Sequence, residues 1–131
     1  MTSDAGTTGA AVVFVTAGSE EQAGLIAHAL VGERLAACVN IVSPIRSIYR
    51  WNDEVQTDTE HLMIIKTRAK LVAKVEARVK ELHSYEVPEV IALPIVAGAR
   101  SYIDWVLAST IAQPGVVSKS RHTIRKQGGK K

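Results

Sequence analysis

The sequence predicts an α+β domain of the ferredoxin-like kind, a split βαβ in the order β-α-β-β-α-β with one further helix at its end. Three observations carry this. Short apolar runs at 10–16, 62–65 and 89–96 have strand length. Two stretches with helical spacing, 20–33 and 69–82, separate them. A long extended segment, 36–51, turns back on itself at Asn52-Asp53 to make a projecting hairpin.

Taken in order, residues 10–16 (AAVVFVT) are rich in β-branched types and stop at Gly18. SEEQ at 19–22 reads as a capping box, with Ser19 as N-cap and Gln22 reaching back to it. Leu25, Ile26, Ala29 and Leu30 then recur at helical spacing. In the segment 36–51, Pro44 cannot donate to a ladder, so a bulge or an edge position is expected there. Asn52-Asp53 has turn chemistry, and 54–67 returns as a strand with a polar tip and an apolar base at 62–65. Residues 69–82 form an amphipathic helix with Val72, Val75, Val79 and Leu82 on one face. After the strand at 89–96, residues 100–111 read as a last helix with Ile103, Val106 and Leu107 inward.

This arrangement puts both main helices on one sheet face. A strand with one wet face should alternate apolar and polar. VVFV, LMII and VIALPIV do not, so both sheet faces are apolar and the last helix is too short to cover the second. An apolar face of that size marks an interface, and a homo-oligomer packed through its sheets is expected.

One domain, 10–111, fits the length of 131 residues. Residues 1–9 read as a disordered leader and 112–131 as a flexible basic tail. The tail holds six of the sixteen basic residues and no acid, which leaves the body at −3. A basic tail can adhere to nucleic acid or acidic lipid, but the solvated-tail reading is preferred and a nucleic-acid partner is not expected. The single cysteine, Cys38, excludes an internal disulfide or a four-cysteine zinc site and fits a reducing compartment. No apolar run approaches the roughly 20 residues of a membrane span, and the N-terminus lacks a basic signal region. A cytoplasmic protein without a membrane partner is expected. There is no Gly-rich phosphate loop, HExxH or nucleophile–base spacing, so no enzyme is expected.

AACVNI (36–41), SIYRW (47–51), KT (66–67), HSYEVPEV (83–90) and YIDWV (102–106), in this order and on this topology, closely resemble the CutA, or divalent-cation tolerance, family. The resemblance runs from about residue 11 to residue 111. It implies a ferredoxin-like subunit in a homotrimer shaped like the PII nitrogen-signalling proteins. It also implies binding of copper or another divalent cation rather than a reaction. Of the copper ligands proposed for relatives, His83 is present, while Val15 and Leu82 stand at the other places and Ser84 replaces the usual proline.

The candidate metal residues are His83 and Cys38. An imidazole suits copper(II) or zinc, and a thiolate suits copper(I). The bland alternatives are a helix-end histidine bonded to the last carbonyls and a small buried core cysteine. His28 and His61 read as surface or packing residues, and His122 lies in the tail. Tyr49, Trp51, Lys66, Tyr85, Glu89 and Trp105 form the second candidate set, with Tyr102 and Arg68 nearby. They are either packing residues or the walls and polar groups of a cleft between subunits. The two functional readings are therefore a metal-homeostasis protein that holds a cation weakly near His83, and a PII-like signalling module. The latter would take a small ligand in the inter-subunit cleft and report to a protein partner.

Overall fold

The computed structural model describes residues 7–111. The expected tail, 112–131, with His122, and positions 1–6 of the expected leader lie outside the described residues. The elements are β1 (Ala10–Ala17), α1 (Glu20–Gly32), β2 (Cys38–Trp51), β3 (Glu54–Arg68), α2 (Val72–Leu82), β4 (Val90–Pro94) and α3 (Arg100–Ala108). A 3-10 turn, Ala69–Leu71, leads into α2, so the second main helix begins three residues later than its apolar spacing implies. The fully antiparallel sheet has the order β2-β3-β1-β4, the ferredoxin-like arrangement.

One sheet face carries the main core. Val13, Val15, Met63 and Ile65 meet Ile26 and Leu30 of α1 and Val75 and Val79 of α2, all fully buried. Ala23 and Ala27 are buried on α1, whereas Leu25 is exposed. Ala23 and Ala27 share the sheet-facing side of α1 with Ile26 and Leu30. Ser19 caps α1 by accepting from the Gln22 N–H at 3.0 Å. The expected return bond from Gln22 is not made. Its amide turns away to accept from the Ser84 N–H at 2.7 Å and to donate to the Leu82 carbonyl at 3.4 Å. The end of α2 offers a free donor and a free acceptor together, and the amide satisfies both.

The opposite face is covered only at one end. There α3 buries Ile103 and Val106 against Ala10 and Ala37, while Arg68 donates to the Leu107 carbonyl and to Thr110 Oγ1. Strand alternation puts Val12, Phe14, Leu62 and Ile64 on this face together with Ile91 and Leu93, each 54% exposed. Thr8 and Gly9, within the expected leader, are tied down: Thr8 N–H and Oγ1–H donate to the Ile95 carbonyl, and Gly9 accepts from the Ala69 N–H.

β2 and β3 form an arm that runs on past β1, whose last pair is Ala17 with His61. The arm turns at Asn52-Asp53, where both residues have positive φ (54° and 64°), the geometry of the turn that suits the strands' right-handed twist. Both expectations for Pro44 hold. β2 is an edge strand, and the register slips between Val42 and Ile45, with a cis Ser43–Pro44 bond inside the slip.

Candidate functional site

Beyond the end of β1, residues 54–60 of β3 have no strand beside them on that flank. The loop after α2 folds back into the space, and a pocket of about 600 Å³ lies between loop and arm. Its aromatic walls are Tyr49 and Trp51 from β2 and Tyr85 from the loop. Asp58 and Glu60 enter from β3 and Glu86 and Glu89 from the loop, while Thr16 and Ser47 complete the inner end. Among the described residues, no Lys, Arg or His lines it.

The two tyrosines hold two of these carboxylates. Tyr49 donates its phenolic proton to Asp58 Oδ2 across the arm. Tyr85 donates to Glu60 Oε2 at 2.8 Å. Both phenols are pushed above the ordinary tyrosine range. For Tyr49 the hydrogen bond to Asp58 is the main cause. For Tyr85 it is burial, followed by the hydrogen bond to Glu60. Glu60 is only 8% exposed.

His83 stands behind the Tyr85 wall and is itself 8% exposed. Its Nδ1 accepts from the Tyr85 N–H at 3.1 Å, so the ring proton sits on Nε2. Nε2–H donates to the Thr16 carbonyl of β1 at 2.7 Å. The ring therefore braces the loop against the sheet rather than bonding the last carbonyls of its own helix. It also packs on Tyr85, with centroids 4.7 Å apart.

The candidate metal pair is not brought together. Cys38 opens β2 on the other sheet face, opposite Lys66, which pairs in turn with Val12. Thr16, the partner of His83, is four residues farther along β1, about 13 Å. Cys38 adjoins Tyr102 of α3, whose phenol is raised by burial and then by the nearby thiol. Val15, at the place of a proposed family ligand, is a fully buried core residue. Both His83 nitrogens are used by backbone groups. Among the described residues, no group of three or more His, Cys, Asp or Glu side chains stands close enough to hold an ion. These residues do not fit a resident metal, which needs several lone pairs converging at bonding distance.

Of the candidate cleft residues, the chain brings Tyr49, Trp51, Tyr85 and Glu89 together around the pocket. Lys66 is elsewhere, on the open sheet face with its Nζ bonded to Asn40 Oδ1. Trp105 is on α3, paired with Tyr102 at 5.5 Å between centroids. His61 bonds Ser43 Oγ at 2.8 Å beside the register slip, and His28 is exposed on α1. Asp58 and Glu60 were not foreseen as site residues, whereas Glu86 was expected to converge with Glu89, Tyr85 and His83. The signal for Asp58 and Glu60 was available in the hairpin itself. A two-residue turn sets Trp51 opposite Glu54, Tyr49 opposite Gln56 and Ser47 opposite Asp58, which places Tyr49 diagonal to Asp58.

The family model described as CutA1 divalent ion tolerance protein matches residues 11–109. The chain belongs to the CutA1 divalent ion tolerance family. The divalent-cation tolerance protein CutA of Thermus thermophilus is 54% identical over 99 residues, 76% of this chain and 96% of that one. The chloroplastic CutA of Arabidopsis thaliana is 48% identical over 76% of this chain, which spans about half (54%) of the plant protein. Among solved structures, CutA1 from Oryza sativa superposes with a TM-score of 0.79 at 46% identity, covering 82% of this chain and 99% of that one. The Thermus CutA1 structure gives 0.76 at 53% identity, covering 77% and 98%. Among the described residues no helix is long and apolar enough to cross a membrane.

Proposed function

We propose that this CutA-family chain is a cytoplasmic homotrimeric binding protein that supports divalent-cation tolerance by holding copper or another divalent cation weakly, at the acidic pocket beside His83 rather than on its ring. The observation that carries this is the charge of the pocket. Asp58, Glu60, Glu86 and Glu89 line it, and among the described residues no basic side chain does. Such a concavity concentrates positive ions, and its scattered carboxylates favour loose association over tight ligation. The trimer reading rests on the apolar sheet face that α3 leaves open, where Ile91 and Leu93 stand beside Phe14 and Ile64. It also rests on the relatives' family. The cytoplasmic reading rests on the single cysteine.

Native mass spectrometry of the full chain during a copper titration tests both parts. A trimer whose copper occupancy falls in Glu60→Gln and Glu89→Gln supports the proposal. A monomer, or copper uptake untouched by both substitutions, overturns it.

The aromatic walls favour a second reading, a PII-like module in which the same pocket, completed by a neighbouring subunit, takes a small organic ligand and reports to a protein partner. Three rings with a few charged groups in a concave site are the usual make-up of a small-ligand pocket. Lys66 and Trp105 would belong to this reading only as contributions from a second copy. Arm mobility that changes on adding ligand but not on adding metal would favour it.

A further inference from the structure

We infer that the ligand of the pocket between the arm and the 83–89 loop is an organic cation, a small molecule carrying an alkylammonium head. This rests on the small-ligand reading above and names its chemical class.

The rings and the carboxylates divide the work. Tyr49 and Tyr85 have already committed their hydroxyls as donors, to Asp58 and Glu60. What they and Trp51 still offer is ring face, which carries a negative quadrupole and attracts a cation within about 6 Å of its centre. The fixed hydroxyls also hold the two acids in place, so the negative charge stands ready before a ligand arrives.

Glu60 supplies the sharpest demand for a positive charge. It is a carboxylate more than nine-tenths buried, with one oxygen bonded to Tyr85. Among the described residues its second oxygen takes no hydrogen bond and no cation pairs with it. That second oxygen is still reached from the pocket side, so a positive group in the pocket can stand beside a carboxylate that is otherwise largely shielded from water.

The geometry separates an organic cation from a metal ion. A metal must trade its water shell for several oxygen or nitrogen atoms at bonding distance, and no such group of His, Cys, Asp and Glu exists among the described residues. A tetraalkylammonium needs no ligand at bonding distance. Its charge is spread over methyl groups that gain by leaving water for ring faces, with the carboxylates a few ångströms off. A cavity of about 600 Å³ has room for such a head and the body of a small molecule.

The test is isothermal titration of the full-length protein with tetramethylammonium chloride, with tert-butanol as the neutral probe of similar size, and with copper sulfate. The expected result is saturable tetramethylammonium binding, about tenfold tighter than the alcohol. Glu60→Gln keeps an acceptor for Tyr85 and removes the charge. It is expected to weaken tetramethylammonium about tenfold and leave the alcohol unchanged. Glu89→Gln, on an exposed side chain, guards against a folding defect and is expected to weaken the ion several-fold. Alcohol bound as tightly as the ion overturns the cationic class and keeps the pocket as a small-ligand site. Copper bound in a Glu60-dependent way with no ammonium binding leaves the metal reading standing and overturns this one. No saturation by either organic probe overturns the small-ligand reading with it. Ammonium binding that appears only when the oligomer is diluted apart shows the pocket filled by a second copy, which also overturns the inference.

Discussion

Replacing His83 by alanine should destabilise the protein far more than loss of a surface imidazole would. The ring holds two backbone groups. Its Nε2–H satisfies the Thr16 carbonyl at 2.7 Å and its Nδ1 satisfies the Tyr85 N–H at 3.1 Å. Thr16 is buried, so its orphaned carbonyl costs about 1–3 kcal/mol. The Tyr85 N–H lies on an exposed loop and can recruit water, so its loss costs about 1 kcal/mol. Removing a ring that is 8% exposed and packed on Tyr85 adds about 1–2 kcal/mol of lost burial. The total is about 3–6 kcal/mol. Urea unfolding followed by tryptophan emission at one fixed protomer concentration measures it, because the stability of an oligomer depends on concentration. A loss below about 1 kcal/mol would refute the bracing role. The same reasoning shows how His83→Ala can mislead. It would slacken the Tyr85 wall and weaken any pocket ligand without His83 ever touching one, so loss of copper in that variant alone does not identify a ligand.

Three further outcomes follow from particular contacts. Tyr85 is raised by burial and by Glu60, so its favourable contribution is complete below the ordinary tyrosine value of about 10 and falls as pH climbs toward its higher folded value. An alkaline absorbance titration should show a late phenol that is missing in Tyr85→Phe; a full set of phenols titrating in the ordinary range would count against it. Thr67→Val removes the 2.6 Å bond from Oγ1 to the Leu35 carbonyl at a fully buried site and should cost about 1–3 kcal/mol in urea unfolding; unchanged stability would refute a stabilising role for that bond. Asp53→Gly should raise stability by about 0.5–1 kcal/mol in thermal unfolding, because φ of 64° suits glycine better than aspartate. A decrease would mean that the Asp53 side chain itself supports the turn.

What could be read from the sequence was what local period controls. Val75 and Val79 face the core as the 3.6-residue spacing requires, and Tyr49 and Trp51 share a face because they are two apart. Pro44 announced the irregularity in β2 by lacking a donor. The same reasoning misplaced Leu25, which is exposed, because the buried stripe of α1 runs through Ala23 and Ala27 together with Ile26 and Leu30, and small alanines give little hydropathic signal. The last helix stops at Ala108, not 111, because the Thr110 hydroxyl accepts from Arg68 and bonds the Val106 carbonyl. The pocket was half legible. Its aromatic wall and Glu89 were foreseen, but Asp58 and Glu60 looked like solvent-facing residues of a polar tip. They become pocket residues because β1 ends opposite His61 and the loop from α2 turns back there. Both facts join distant parts of the chain, and no local window contains them. His83 was foreseen as a ligand or a helix cap, and its tie to β1 was hidden for the same reason.

The slip between Val42 and Ile45 also sets the parity of the arm. Below it, Cys38, Asn40 and Val42 oppose Lys66, Ile64 and Leu62, so even-numbered residues of β2 share a face with even-numbered residues of β3. Above it, the single extra residue exchanges odd for even, and Ser47, Tyr49 and Trp51 now oppose Asp58, Gln56 and Glu54. Had the register below the slip run on unchanged, Ile48 and Arg50 would oppose Gln56 and Glu54, and the aromatic pair would point to the other face. The arm can therefore lengthen or shorten only in steps of two without dismantling the site, since a change of one anywhere between Ile45 and Trp51 would undo what the slip accomplishes.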